Sequence, residues 1–291
     1  MKIAVMTDSG SGLSPKAGRE IGIHVVPMPF FMDDETYTED VDIGRDAFFK
    51  ALTEGVRGST SQPSPAILQA AWDSALRTHD AVVHIPLTSG LSSTCENAQS
   101  LADEEKYRGR VFVADTRGVS VIQYMSCLDA VRLASAGCGP EEIVRILEEN
   151  RGKNSIYIYI DTLEYLRRGG RVTRAAASLA TLLHIKPILK IDNGSRLDTF
   201  SKARTEKKCR QIMIKQLHQD LETIYHDPDA SGCHLAVAYS DSVEKARDFA
   251  DEIAASFPKR KYQEVIVHPL PLLICCHTGP GALGCGFVYP A

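Results

Sequence analysis

Short continuous apolar runs alternate with amphipathic stretches through the first half of the chain. Ile3 to Met6, His24 to Pro27, Ala81 to Ile85 and Val111 to Ala114 are such runs, each bounded by turn-forming residues, and another begins at Phe30 to Met32. Runs of this kind are expected of strands buried on both faces of a parallel sheet. Between them, Ser64 to Arg77, Ser92 to Lys106 and Val119 to Ala136 read as helices. A strand–helix–strand rhythm implies right-handed crossovers and an α/β layer.

The second half has a different pattern. Ser155 to Ile160 reads as a strand, and two helices with basic flanks surround the Gly169-Gly170 break. Pro187 to Asp192 and Arg196 to Lys202 flank Asn193-Gly194, a dipeptide that favours the hairpin turn. A helix over Thr205 to Ile224 follows. The remaining pattern gives a strand over Leu235 to Tyr239, a helix over Val243 to Phe257, and strands at Val265 to Val267 and Gly286 to Tyr289. Hairpins mixed with helices indicate α+β organisation. The polar stretch Asn150 to Asn154 divides the chain into an N-terminal α/β domain, 1–152, and a C-terminal α+β domain, 153–291, whose last strand is a candidate to pair across the boundary.

Composition narrows the function classes. A chain of 291 residues has room for about two cores. The net charge of −4 argues against nucleic acid as the main partner. No apolar run reaches membrane-spanning length, and the N-terminus lacks a signal-peptide pattern, so the expected location is cytoplasmic. In that setting the eight cysteines are expected reduced, mostly as small hydrophobes. Cys275-Cys276 reads as the end of a buried strand. No cysteine or histidine spacing suits a metal.

Four polar clusters carry the chemistry. They are Thr60-Ser61-Gln62-Pro63, Thr88 to Thr94, Arg168-Gly169-Gly170-Arg171 and His277-Thr278-Gly279-Pro280-Gly281. They supply hydroxyls, glycine-exposed amides, an arginine and a histidine, which suits a small anion. Ser92 and Ser93 fall at a helix start, where free N–H groups and the helix dipole favour a carboxylate or phosphate. The same residues are common helix caps. An arginine held at a glycine turn can fork onto a carboxylate, and a histidine beside a bound anion is favoured in its protonated form. Asp8 and Asp115 end strands, at the edge where open sheets bind ligands, although aspartate also suits turns there. Arg204, Lys207 and Lys208 lie in a basic stretch that is either a docking surface or a solvated helix face.

Taken in order, these clusters resemble the DegV family of bacterial fatty-acid-binding proteins, the acyl-carrying subunits of fatty-acid kinase. The resemblance spans nearly the whole chain. It rests on Thr7-Asp8-Ser9, Thr60 to Ser64, Ser89 to Thr94, Asp161 to Arg171, Lys186 to Leu189, Asn193-Gly194 and His277 to Gly281. It implies a two-domain fold with a long-chain fatty acid between the domains. It also implies a carboxylate held by Thr60, Ser92, Arg171 and His277, with the Ser93 amide as a further donor. It implies a carrier rather than an enzyme, with no cofactor, whose partner is a kinase that makes the acyl-phosphate, and which touches membrane surfaces transiently to exchange lipid. Arg204, with Lys207 and Lys208, is the expected docking surface. The family often has Ser-Gly-Thr-Tyr where this chain has Ser92-Ser93-Thr94-Cys95. The alternative is a hydrolase or acyltransferase using Ser92 or Ser93 with His277, although no Gly-x-Ser-x-Gly elbow is present.

Overall fold

The buried apolar runs form a parallel sheet. β1 (Ile3–Asp8), β2 (Ile23–Val26), β6 (Ala81–Ile85) and β7 (Val111–Val113) lie in the order β2-β1-β6-β7, every pair parallel. All five residues of β6 are buried, as a central strand covered on both faces requires. One face is covered by α3 (Pro65–Ala75) and α4 (Thr94–Ala102), packed around Trp72, Ala98 and Tyr107. The other is covered by α5 (Val121–Ser135) and α6 (Pro140–Asn150) through Cys127, Ala130, Leu133, Ile143 and Leu147. This computed structural model describes residues 1–171, 173, 185–191 and 197–291. The Asn193-Gly194 turn and the helix expected after Arg171 lie outside them.

A six-stranded mixed sheet occupies the C-terminal half. Its strands are β8 (Asn154–Tyr159), β9 (Lys186–Ile191), β10 (Leu197–Ala203), β11 (His234–Tyr239), β12 (Ile266–Pro269) and β13 (Leu283–Val288), in the order β10-β9-β8-β13-β11-β12. The period-2 alternation of β8 decides its faces. Tyr157 and Tyr159 join a core with α8 (Glu206–Thr223) and α9 (Val243–Ser256), while Ile156 and Ile158 face the opposite way. The last strand does not pair across to the parallel sheet. β13 lies between β8 and β11, antiparallel to both.

Between these layers sits a third unit, of which only the strand run at Phe30 to Met32 was signalled by the sequence. β3 (Phe30–Met32), β4 (Glu35–Tyr37) and β5 (Gly58–Thr60) make a small antiparallel sheet, followed in space by α2 (Arg45–Thr53). It packs on α10 (Leu272–Thr278) within one apolar cluster that also includes residues of β8, β9 and β10. Cys275 and Cys276 therefore lie on a buried helix, not at the end of a strand. The sequence there is a continuous apolar run, and periodicity alone does not separate a short buried helix from a strand.

Candidate functional site

Thr60, Ser92, Arg171 and His277 are brought together. They line one cavity of about 500 Å³ together with Ser61 and Gln62, and Met28, Leu87, Leu91, Leu273 and Ile274 complete its wall. Each polar residue arrives at the end of an element. Thr60 closes β5, His277 lies in the last turn of α10, Ser92 precedes α4, and Arg171 follows α7 (Glu164–Gly169). α7 stops because Gly170 takes the left-handed conformation, φ 68°, and its N–H returns to Leu166 O at 3.0 Å.

The hydrogen bonds show which groups are committed. Thr60 Oγ1 and His277 Nε2 share a bond of 2.9 Å. His277 is buried and its Nδ1 has no hydrogen-bond partner among the described residues. That nitrogen lies against α7, since a Cβ on Gly169 would overlap it. Arg171 Nη1 donates to Gly169 O at 2.5 Å, which anchors the guanidinium at the end of α7. Ser92 Oγ accepts from Thr94 N at 3.2 Å and shares a 2.8 Å bond with Thr94 Oγ1. Ser92 thus serves as a helix cap as well as a lining residue. Ser93 is exposed and is not among the lining residues, but its main-chain N–H finds no acceptor among the described residues.

Burial and the neighbouring Arg171 pull the pKa of His277 down to about 4, which favours the neutral imidazole. The amides of the Gly279-Pro280-Gly281 turn are not offered to a ligand. Gly279 N donates to Cys275 O at 2.8 Å and Gly281 N to Asp241 Oδ1 at 3.0 Å. The thiol of Cys275 is pushed up to about 12 by burial, and that of Cys276 upward by the same cause, so neither is a poised nucleophile. Asp8 and Asp115 fix loops: Asp8 accepts from Gly10 N at 2.8 Å and Leu87 N at 2.7 Å, and Asp115 from Ser89 Oγ at 2.7 Å. No hydrogen bond joins Ser92 or Ser93 to His277, and no group of His, Cys, Asp and Glu suited to a metal occurs among the described residues.

A second cavity adjoins the first. Its volume is about 640 Å³, and its wall is almost wholly apolar, with Val119, Ile156, Ile158, Leu197, Ala236 and Phe287 among its residues. Leu91 and Ile274 line both cavities, so the polar chamber and the apolar one adjoin at these two side chains. Sequence reasoning did not find this wall. Its residues come from segments scattered over both halves of the chain, which no sequence window joins.

Arg204, Lys207 and Lys208 are exposed and have no ion partner among the described residues. Arg210 instead pairs with Glu252 at 3.3 Å. Arg204 follows Ala203, which is in register with Lys186. Lys186 pairs with Asp161, and Asp161 abuts Gly281 in the turn beyond His277. No helix is long and apolar enough to cross a membrane among the described residues.

The fold and this paired chamber define a class: an α/β protein of two large sheets and one small one, with a polar pocket beside an apolar one. The chain belongs to the DegV family, whose model, described as an uncharacterised protein of that family, matches residues 2–290. A DegV domain-containing protein of Caldanaerobacter subterraneus is 35% identical over 287 residues, covering 98% of each chain. Among solved structures, a fatty-acid-binding DegV family protein from Thermus thermophilus superposes with a TM-score of 0.88 at 31% identity, covering 99% of this chain and 100% of the other. DegV of Bacillus subtilis, described as a fatty acid binding protein, gives 0.84 at 29% identity, with 99% of each chain covered.

Proposed function

We propose that this protein binds a long-chain fatty acid, with the carboxylate in the polar chamber and the acyl chain in the apolar one. The observation that carries the reading is the juxtaposition itself. Thr60, Ser92, Arg171 and His277 line a chamber that shares Leu91 and Ile274 with an apolar cavity of about 640 Å³. Burying an acyl chain contributes about 0.8 kcal/mol per methylene, on the order of 10 kcal/mol for a long chain before entropic costs. The carboxylate must be hydrogen-bonded throughout, or its desolvation cancels much of that gain. Arg171, the two hydroxyls, the Ser93 amide and a His277 protonated on binding supply those partners. The fatty-acid-binding descriptions of the related structures support the same reading.

The protein is read as a carrier, in which residues 1–152 and 153–291 act as two domains around the ligand. Its carboxylate is presented to a separate kinase for acyl-phosphate formation. Arg204, Lys207 and Lys208 form the docking surface, since their segment is linked through Lys186 and Asp161 to the turn beyond His277. The serine-hydrolase alternative is disfavoured by geometry: Ser92 is turned to Thr94, His277 to Thr60, and no carboxylate orients the imidazole.

Mass spectrometry of the organic extract from freshly purified protein tests the reading. The expected result is a stoichiometric long-chain fatty acid, lost in Arg171→Ala and His277→Ala. An empty protein that takes up no added fatty acid, but binds a short phosphorylated metabolite, overturns it.

A further inference from the structure

Asp8 and Ser9, at the end of β1, are buried and are not among the residues lining either chamber. Both nevertheless hold the wall of the polar one. Asp8 Oδ2 accepts from Leu87 N at 2.7 Å, and Ser9 Oγ accepts from Met28 N at 3.0 Å. Leu87 and Met28 both line the polar chamber. Beyond Leu87 the chain turns tightly: Thr88 O accepts from Leu91 N and from Ser92 N, each at 3.2 Å. Ser92 therefore hangs from the residue next to the one that Asp8 grips.

A local cap accounts for one oxygen of Asp8. Oδ1 accepts from Gly10 N at 2.8 Å, at the start of a single helical turn, Ser9–Ser11. The bond to Leu87 is of another kind, since it joins two loops 79 residues apart in sequence. Burial raises the pKa of Asp8 to about 6, and what opposes that rise is hydrogen bonding from Leu87, Gln123 and Gly10. Packing alone would be served better by an apolar side chain, because a buried carboxylate is costly unless its oxygens are bonded. Both oxygens are in use here, with Gln123 Nε2 donating to Oδ1 at 3.0 Å. The cluster is tight as well. A Cβ on Gly10 would lie 2.7 Å from Asp8 Oδ1 and 3.1 Å from Leu87 Cβ.

Groups that bind a ligand work only when residues behind them hold them within about 0.5 Å of the productive geometry. We propose that Asp8 and Ser9 are positioning residues for the carboxylate site: Asp8 sets where Ser92 stands by holding Leu87, and Ser9 fixes the wall at Met28. The proposal rests on the fatty-acid reading of the chamber and gives a task to side chains that do not line it. Asparagine at position 8 would keep the shape of the side chain but offer one acceptor instead of two. Its NH2 would then face the N–H of Leu87, or those of Gly10 and Gln123, and the grip on one side would be lost.

The test is a double-mutant cycle on palmitate affinity, using the wild type, Asp8→Asn, Ser92→Ala and the two together. Carbon-13 NMR of carboxyl-labelled palmitate on each protein reports the surroundings of the head group. Ser92→Ala is expected to weaken binding by about fivefold to tenfold, as for one hydrogen bond. Asp8→Asn is expected to weaken it by a similar factor. The double variant should be within about twofold of the weaker single one, because both changes remove the same contact. The bound carboxyl resonance should move in Asp8→Asn in the same direction as in Ser92→Ala. Losses that multiply in the double variant overturn the inference, and so does a weakened Asp8→Asn whose bound resonance stays at the wild-type position, since that is general loosening. Ser9→Ala removes only the bond to Met28 and is expected to fold, to weaken palmitate and to shift the resonance. Wild-type affinity and resonance in Ser9→Ala overturn the inference even where Asp8→Asn fails to fold. If the wild type itself binds no palmitate, the fatty-acid reading falls and takes the inference with it.

Discussion

The imidazole of His277 is surrounded by influences that oppose its proton: burial first, then the guanidinium of Arg171. With a folded pKa near 4 and an unfolded value near 6.5, the native state binds the proton less tightly than the unfolded chain. The neutral form contributes stability above pH 6.5, and that contribution is lost as pH falls toward 4. A carboxylate placed between Arg171 and His277 changes the sign of the local field and raises the imidazole pKa. Fatty-acid binding at pH 6 is therefore expected to take up protons. Calorimetry in buffers of different ionisation enthalpy should show that uptake in the wild type and its loss in His277→Gln; binding without proton uptake in the wild type would contradict the assignment. At this scale the sequence was informative. Thr60, Ser92, Arg171 and His277 stood out as polar clusters beside glycines, and they do converge. The offer of amides by the Gly279 to Gly281 turn did not hold, because Cys275 O and Asp241 accept those N–H groups, and a sequence does not display such pairings.

α10 positions His277, and α10 is itself held by an element distant in sequence. Arg45 on α2 donates to Ser240 O at 2.5 Å, Leu270 O at 2.7 Å and Glu39 Oε1 at 3.2 Å. Glu39 Oε2 in turn accepts from Leu272 N, the first residue of α10, at 2.7 Å. Burial raises the pKa of Glu39 to about 7, so without its arginine this carboxyl would sit in an unfavourable place. Arg45→Met is expected to destabilise the protein by about 2 kcal/mol, as loss of charged hydrogen bonds does, and to weaken fatty-acid binding through α10. Urea unfolding and ligand titration on the same preparation check both parts; unchanged stability would show that the clamp is idle. None of this was legible beforehand. Most strands and helices of the two large sheets announced themselves by period, whereas α2 and the strands β4 and β5 were too short to stand out and the buried α10 read as a strand; α6 went unread although Ile143, Val144, Ile146 and Leu147 space it as an amphipathic helix.

Across the whole molecule, the parallel sheet supplies Ser92, the small antiparallel sheet supplies Thr60, and the mixed-sheet half supplies Arg171 and His277. The α/β and α+β characters of the two halves were readable from the change in pattern near Asn150. The apolar chamber was not, because Leu91, Val119, Ile156 and Ile274 share no sequence window. The basic stretch at Arg204 belongs to this scale, since its segment reaches the His277 turn only through Lys186 and Asp161. Arg204→Glu is expected to reduce acyl-phosphate formation by a fatty-acid kinase severalfold while fatty-acid affinity stays constant. Undiminished phosphorylation would remove Arg204 from the docking surface.

Leu91 and Ile274 line both chambers. An acyl chain laid past them, as the proposed binding mode has it, would behave as a dipstick. Its far end would rest against the wall of the apolar chamber, and its near end would mark the level at the rim. A chain too long for the chamber lifts its carboxylate clear of Arg171 and His277, and one too short lets it sink away from them. Length would then be gauged at the head rather than at the tail, by whether the carboxylate comes level with four side chains that never touch the end of the chain.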